Sequence, residues 1–351
     1  MIVYNQYTAK DVREWIENGV KRGLSESIIS LTRANALVHC PCVQDNDVLV
    51  VSALDGDKLV GYTAIFPEKL ARPDMWIATG TTLWVDSNYA DEFVGYNLVQ
   101  RLWNAYPNNA VFGSDVVPAA ALIDKLLGAT ILKYERKLFV FRRNIEVHSL
   151  RNFASLLLEP FRKHVQRKAI RRVIGSISSD IHVIARDIID AEAYAFIKAH
   201  SDLDTFLRSK EMLNWILRYP FSVENLAISH ADKRMEFHDQ AVMYRNNLLQ
   251  IYIADKLIGI VMLGMRGSKM DIKMLYTDDA HCEIVYAVVI EAMVHSHQKQ
   301  LCSIYPQLNA YITSHHLALR ENKQQFIFTI PESIKAYEPL VLQGMEGDMF
   351  A

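Results

Sequence analysis

The sequence is short of cysteine, of long apolar runs and of net charge, and each shortage excludes something. Four cysteines in 351 residues are too few and too scattered for a disulfide framework, so reduced thiols and a cytoplasmic location are expected. No apolar stretch reaches the length that spans a bilayer. Residues 1–6 have neither a basic segment nor an apolar core, which argues against a signal peptide. With 38 Lys and Arg against 40 Asp and Glu the net charge is −2, which argues against a broad nucleic-acid footprint. Metal-ligand sets are short as well. The run His39-Cys40-Pro41-Cys42 has no second cysteine pair, whereas structural zinc needs about four ligands. It reads as a loop with two small buried thiols. His281, His295, His297, His315 and His316 sit at spacings that do not share a helix face, and no metal is expected.

What is present is half hydrophobic and 22% charged, a globular composition in a chain long enough for two cored domains. Residues 75–85 are rich in β-branched and aromatic types and read as a strand. Asp86, Ser87 and Asn88 suit a turn or helix cap. From Asp91 to about residue 106 the apolar positions Phe93, Val94, Leu98 and Leu102 follow helical spacing. A strand that runs straight into a helix leaves the first helical N–H groups unpaired. With the helix dipole they make a site for phosphate.

The stretch Val85-Asp86-Ser87-Asn88-Tyr89-Ala90-Asp91-Glu92-Phe93-Val94-Gly95 resembles the acyl-CoA-binding core of the Gcn5-related N-acetyltransferase (GNAT) superfamily. Val85, Asp86, Tyr89 and Gly95 fit that pattern. Ala90 stands where Arg or Gln is usual and Phe93 where the first Gly is usual. Asp91 and Glu92 put negative charge where a pyrophosphate would lie. The resemblance implies acetyl-CoA or another acyl-CoA as co-substrate. Its contacts would come from Leu83, Trp84, Val85, Tyr89, Ala90, Asp91, Glu92, Phe93, Val94, Gly95 and Tyr96.

The surrounding elements follow the order of that family. Helices are expected at residues 9–18 and 25–38. Strands at 47–53 and 58–66 flank the hairpin Leu54-Asp55-Gly56-Asp57, with Pro67 ending the second. A strand at 110–114 and a helix at 118–127 with Gly128 as C-cap follow. Two strands, 130–134 and 137–141, close the domain. An internal repeat then appears. Asp57-Lys58-Leu59-Val60-Gly61 recurs as Asp255-Lys256-Leu257-Ile258-Gly259, and each copy leads through a strand and an acidic turn into an amphipathic helix. Strands in the second copy are expected at 241–245 and 248–254, joined at Asn246-Asn247, and at 257–263, 270–276, 301–305 and 325–330.

The fold class is therefore α/β (α+β), with two tandem GNAT-like domains, each a mixed, mostly antiparallel sheet flanked by helices. The expected divisions are 1–145, the likelier cofactor-binding domain, a basic helical linker over 146–178, and 179–351, a degenerate copy. In the linker Arg162, Lys163, Arg167, Lys168, Arg171 and Arg172 crowd together. They read as a solvated face or as a contact for an anionic partner.

The resemblance also implies an oxyanion donor on the backbone near residues 83–85, and an acid four residues before a Gly. That position is Asp124, which would be ionised at an ordinary pKa. Tyr89, Tyr96 and Ser114 are alternative acids, and Tyr96 is carried forward. Glu68, Asp74 and Asp115 end strands where a base is expected, with Glu68 first. The implied activity is acyl-CoA-dependent N-acylation, most simply acetylation, of a small amine such as an amino sugar or amino acid. A non-catalytic GNAT-like binding or assembly protein, and an aminoacyl-tRNA-dependent transferase, are the alternatives. The partner is a small-molecule amine, with a homo-oligomer also compatible.

Overall fold

The computed structural model describes residues 1–19, 24, 28–70, 74–106, 111–114, 116–142, 150–206, 208–219, 223–224, 240–241, 244–337 and 340–343. Strand β1 (Ile2–Thr8) passes directly into helix α1 (Ala9–Asn18), because Thr8 and Asp11 form a reciprocal capping box; Gly19, at φ 67°, ends the helix. Helix α2 (Leu31–Val38) starts later than the apolar pattern predicts. Ser30 sets its beginning by accepting the Arg33 N–H.

Strands β2 (Val48–Asp55) and β3 (Lys58–Leu70) form the expected hairpin, with Gly56 at φ 61° in its turn. Strand β3 does not stop at Pro67. It continues to Leu70, with Pro67 opposite Ala78 of β4 (Met75–Val85). The β2 ladder ends at Ala64, so beyond that point β3 has no partner on its β2 side that needs the missing N–H. A 3₁₀ turn, Ser87–Glu92, precedes α3 (Val94–Asn104). Then come β5 (Val111–Gly113), α4 (Pro118–Leu126) and β6 (Ala129–Val140). β6 is one strand where two are predicted, since Glu135 and Arg136 supply no turn residue.

The chain continues through α5 (Leu150–Gly175), β7 (Ile181–Arg186), α6 (Ala191–His200), α7 (Lys210–Arg218), and the two-residue strands β8 (Val223–Glu224) and β9 (Gln240–Ala241). The remaining elements are β10 (Tyr244–Ile253), β11 (Lys256–Arg266), β12 (Lys269–Thr277), α8 (Cys282–His295), β13 (Gln300–Ser303), α9 (Pro306–Ser314) and β14 (Arg320–Pro331). Asn246 and Asn247 do not make a turn. Neither has positive φ, and β10 runs straight through them; the hairpin lies at Ala254 instead, at φ 49°.

These elements form two compact units, interleaved in sequence. The first comprises Met1–Tyr134, Asp202–Tyr244 and Phe326–Ala351; the second comprises Glu135–Ser201 and Arg245–Gln325. The sequence reading divides the chain into contiguous blocks, whereas α7 and the second half of β14 belong with the first unit.

In the first unit the strand order is β1-β2-β3-β4-β5-β14-β6. β1 to β4 pair antiparallel in turn, β4 and β5 pair parallel, and β5 pairs antiparallel with β14. One face packs Val51, Val60, Ile65 and Ala78 against Val94, Leu98, Leu102 and Trp103 of α3. Phe112 lies between the rings of Phe206 (5.0 Å) and Phe328 (5.2 Å). Residues 326–330, predicted to complete the sheet of the second copy, instead pair here, with Thr329 opposite Gly113.

The second unit carries the order β14-β6-β13-β12-β11-β10-β7. β12 and β13 pair parallel, while β11–β12, β13–β6 and β10–β7 are antiparallel. Its core joins Ile258, Val261 and Leu263 of β11 to Val285, Val288 and Val289 of α8. Both units are therefore mixed, mostly antiparallel sheets with helices on their faces.

The sequence repeat is a structural repeat. Lys58 pairs with Asp86 at 2.9 Å, and Lys256 with Asp278 at 2.9 Å. The Asp86 N–H donates to Val60 O at 2.9 Å, and the Asp278 N–H to Ile258 O at 2.9 Å. Each long hairpin carries one extra residue at the same place. In β4 it is Thr81, between the pairs Ala64↔Thr82 and Ile65↔Gly80; in β12 it is Lys273, between Met262↔Met274 and Leu263↔Ile272.

Candidate functional site

β4 and β5 stay together for three residue pairs only: Ala78↔Val111, Thr79↔Phe112 and Gly80↔Gly113. Beyond Gly80, β4 bulges at Thr81 and turns its remaining length toward β3. Such bulges bend a strand and re-aim its side chains. The bulge is held by side chains. Thr81 Oγ1 donates to Ala64 O at 3.2 Å, Thr63 Oγ1 donates to Thr82 O at 2.7 Å, and the buried Arg33 donates to Thr81 O at 3.3 Å.

β5 ends at Gly113 and the two strands part. Between them opens a cavity of about 350 Å³, within the size range of small-molecule sites. The β4 residues Gly80, Thr81, Thr82, Leu83 and Trp84 form one wall. Val111 to Ser114 form a second. Val116, Val117, Ala120 and Asp124, at and within α4, form a third, and Val99, Leu102 and Trp103 of α3 complete it.

The lining is mostly apolar, with few polar groups. Trp103 is buried, and its indole N–H has no partner among the described residues. A buried donor left unpaired is costly, so it suits a ligand acceptor. Asp124 is buried at 9% exposure. Burial raises its pKa to about 6, although Thr329 Oγ1 donates to its Oδ2 at 2.6 Å and opposes the rise. The ordinary carboxylate value expected from sequence does not hold here. Only a small fraction of Asp124 is protonated at neutral pH, but that fraction is far larger than for an ordinary carboxylate, which makes it the better proton donor. Ser114 is also buried on this wall.

Beside the cavity wall lies the strand-to-helix turn. Phe93 adopts φ 56° and ψ 23°, the left-handed region, and places no side-chain cap on α3. An aromatic residue in that region is strained. The residue is 72% exposed, so its side chain does not plug the turn. Backbone bonds near the turn involve other groups: Tyr89 N–H donates to Asp86 O at 2.8 Å, Asn88 N–H to Asp86 Oδ1 at 3.0 Å, and Asn97 N–H to Phe93 O at 3.0 Å. The first turn of α3, starting at Val94, Gly95 and Tyr96, thus begins without a capping side chain. Gly95 is confined: a Cβ there would lie 3.2 Å from Ile123 and 3.5 Å from Val85. Ala90, Asp91 and Glu92 are exposed. Tyr89 is bound by its hydroxyl to Asp55 at 3.1 Å, with Lys58 4.9 Å over its ring.

Of the residues singled out from sequence, Leu83 and Trp84 line the cavity, and Val85, Phe93, Val94 and Gly95 form the adjoining turn. Glu68 and Tyr96 do not line the cavity. Glu68 is buried at 1% exposure, with Arg208 donating to Oε1 at 2.6 Å and Thr79 to Oε2 at 3.1 Å. That geometry makes it the counter-ion of Arg208. The Tyr96 hydroxyl accepts from Gln100 at 3.4 Å. Asp74 pairs with Lys69 at 2.8 Å on the surface, and Asp115 lies outside the described residues. Cys40 is buried and Cys42 half-buried, both as free thiols.

Sequence reasoning missed Trp103, Arg208 and the Val116–Val117 wall. Trp103 carried a signal, a large amphipathic aromatic beside the helix stripe. Arg208 carried none.

Solved structures share this fold. A Gcn5-related N-acetyltransferase from Kribbella flavida aligns with TM-score 0.51 and 13% identity, over 96% of this chain and 72% of that one. A second, from Anabaena variabilis, gives 0.50 and 10%, over 94% and 72%. A tandem GNAT protein from the clavulanic acid biosynthesis pathway gives 0.51 and 10%, over 94% of this chain and 98% of its own. No protein-family model and no curated protein matches the chain. At these identities the likeness is one of fold: the chain has the tandem GNAT architecture.

Proposed function

We propose that the first unit is an acyl-CoA-dependent N-acyltransferase for a small amine. The observation that carries this reading is the cavity where β4 and β5 part, beside the uncapped start of α3. The helix start, residues 93–96, would hold the diphosphate through backbone N–H groups. The cavity would take the pantetheine arm and acyl group. The Trp103 N–H and the backbone at the Thr81 bulge would be the donors nearest the acyl oxygen.

In the reaction the amine nitrogen attacks the thioester carbonyl. The C–N bond forms, the C–S bond breaks, and the thiolate takes a proton. We assign that proton to Asp124 rather than Tyr96. We also leave Glu68 out of proton transfer, because its carboxylate is taken up by Arg208. The amine proton leaves to solvent.

The test is calorimetric titration with acetyl-CoA, followed by measurement of thiol release with a panel of small amines. Saturable one-to-one binding, weakened at least tenfold in Trp103→Phe, is the expected result. Asp124→Asn should leave binding intact and slow thiol release by about 100-fold, the scale of a lost general acid. No binding across short- and long-chain acyl-CoAs would overturn the proposal. A second reading, a binding module without turnover, is favoured by exposed Asp91 and Glu92 where a diphosphate would lie. It predicts acyl-CoA binding with no thiol release from any amine.

A further inference from the structure

The basic run in α5 finds a structural setting in the second unit. Lys163, Gln166, Arg167, Ile170, Arg171 and Ile174 recur at three- and four-residue spacing, so they share one helix face. All six line a cavity of about 630 Å³. Arg142, just past β6, adds a fourth cation, with its guanidinium 3.5 Å from His297 Nδ1. Among the described residues no carboxylate lines the cavity. From residue 160 to 179 the sequence has no acidic residue at all.

Lys163, Arg167 and Arg171 stack at four-residue intervals, so their positive charge concentrates on one side of the helix and favours an anion there. The helix is held in place. Buried Gln166 donates to Phe141 O at 3.2 Å and to Leu317 O at 3.0 Å. The far wall is apolar, from Phe141, Met293 and Val294. It also holds Gln298, which is 3% exposed and whose Oε1 has no partner among the described residues.

We infer that this cavity binds a nucleoside di- or triphosphate. The phosphates would lie along Lys163, Arg167, Arg171 and Arg142, and the base would sit on the apolar wall. An exocyclic amine or ribose hydroxyl would donate to Gln298. A bare phosphate would leave that wall and the Gln298 acceptor unused. A duplex or a membrane reads an open stripe, whereas these cations come from two segments and surround a concavity.

Calorimetric titration of the full chain with ADP, ATP, GTP and pyrophosphate at several salt concentrations tests this. One nucleotide per chain should bind, more weakly as salt rises. Affinity should fall at least tenfold in Arg167→Glu/Arg171→Glu and survive in Arg167→Lys/Arg171→Lys. Gln298→Leu should weaken nucleotide but not pyrophosphate. Both arginines are exposed, and an unchanged melting curve checks that the charge-reversed chain is folded. Three results would overturn the inference. They are no nucleotide binding at low salt, nucleotide binding unchanged by the charge reversal, and binding of tRNA or anionic vesicles only. Acetyl-CoA binding to the first unit should be unaffected by the same substitutions, so failure here is separable from failure of the acyltransferase reading.

Discussion

Asp124 shows at the scale of one residue how burial changes chemistry. Its folded pKa of about 6 lies above the ordinary 3.8, because the apolar surroundings penalise the charged form. Below pH 3.8 the folded and unfolded states are both protonated there, and the residue favours neither. Between about pH 4 and 6 the unfolded chain loses the proton while the folded chain keeps it, so stability falls as pH rises. Above pH 6 the fall is complete, at on the order of 3 kcal/mol from the size of the shift. Asp124→Asn should therefore flatten the urea midpoint between pH 4 and 6. A variant that keeps the wild-type slope would mean that another group titrates. The position was legible in the sequence, since Gly128, at φ 101°, fixes the register. The pKa was not, because it depends on Thr329 and on walls contributed by distant segments.

At the scale of the element, the recurring unit is a hairpin, a bulged strand and a helix start. The five-residue echo was readable because both copies need the same Lys–Asp pair and the same glycine. A Cβ on Gly61 would lie 2.9 Å from Leu98, 3.0 Å from Val94 and 3.1 Å from the Trp84 carbonyl; one on Gly259 would run into Val285. Helix and sheet approach too closely for any side chain there. Gly61→Ala and Gly259→Ala should each cost about 1–3 kcal/mol in denaturant unfolding, the range for overpacked cores. A neutral result at either site would mean the helix can shift at no cost. The bulge and the parting of β4 from β5 were not readable in the same way. They are backbone events, and Thr81 looks like any strand threonine. Pro67 and Asn246-Asn247 misled for a related reason: their local preferences were overruled by the sheet around them, which left one ladder side open at Pro67 and kept the asparagines extended.

For the molecule as a whole, the sheet order makes a division at residue 145 the wrong place to cut. The first unit draws α7 from the middle of the chain and half of β14 from near its end. Arg208 answers the buried Glu68 at 2.6 Å. The Trp215 indole donates to Ala36 O at 2.7 Å. Phe112 lies between Phe206 and Phe328, and Thr329 both pairs with Gly113 and donates to Asp124. A fragment of residues 1–145 keeps every motif read from the sequence for cofactor binding, yet it loses all five of these partners. The stranded Glu68 carboxylate alone should cost about 3–5 kcal/mol, as for a buried ion pair broken on one side, a large part of a typical domain's stability. The fragment should show no cooperative melt and no acetyl-CoA shift. A chain ending at residue 325 should keep a folded second unit but lose hydrogen-exchange protection in β4, β5 and α4. If instead the 1–145 fragment melts cooperatively and binds acetyl-CoA like the full chain, the interleaving is dispensable. The site would then belong to the N-terminal segment alone.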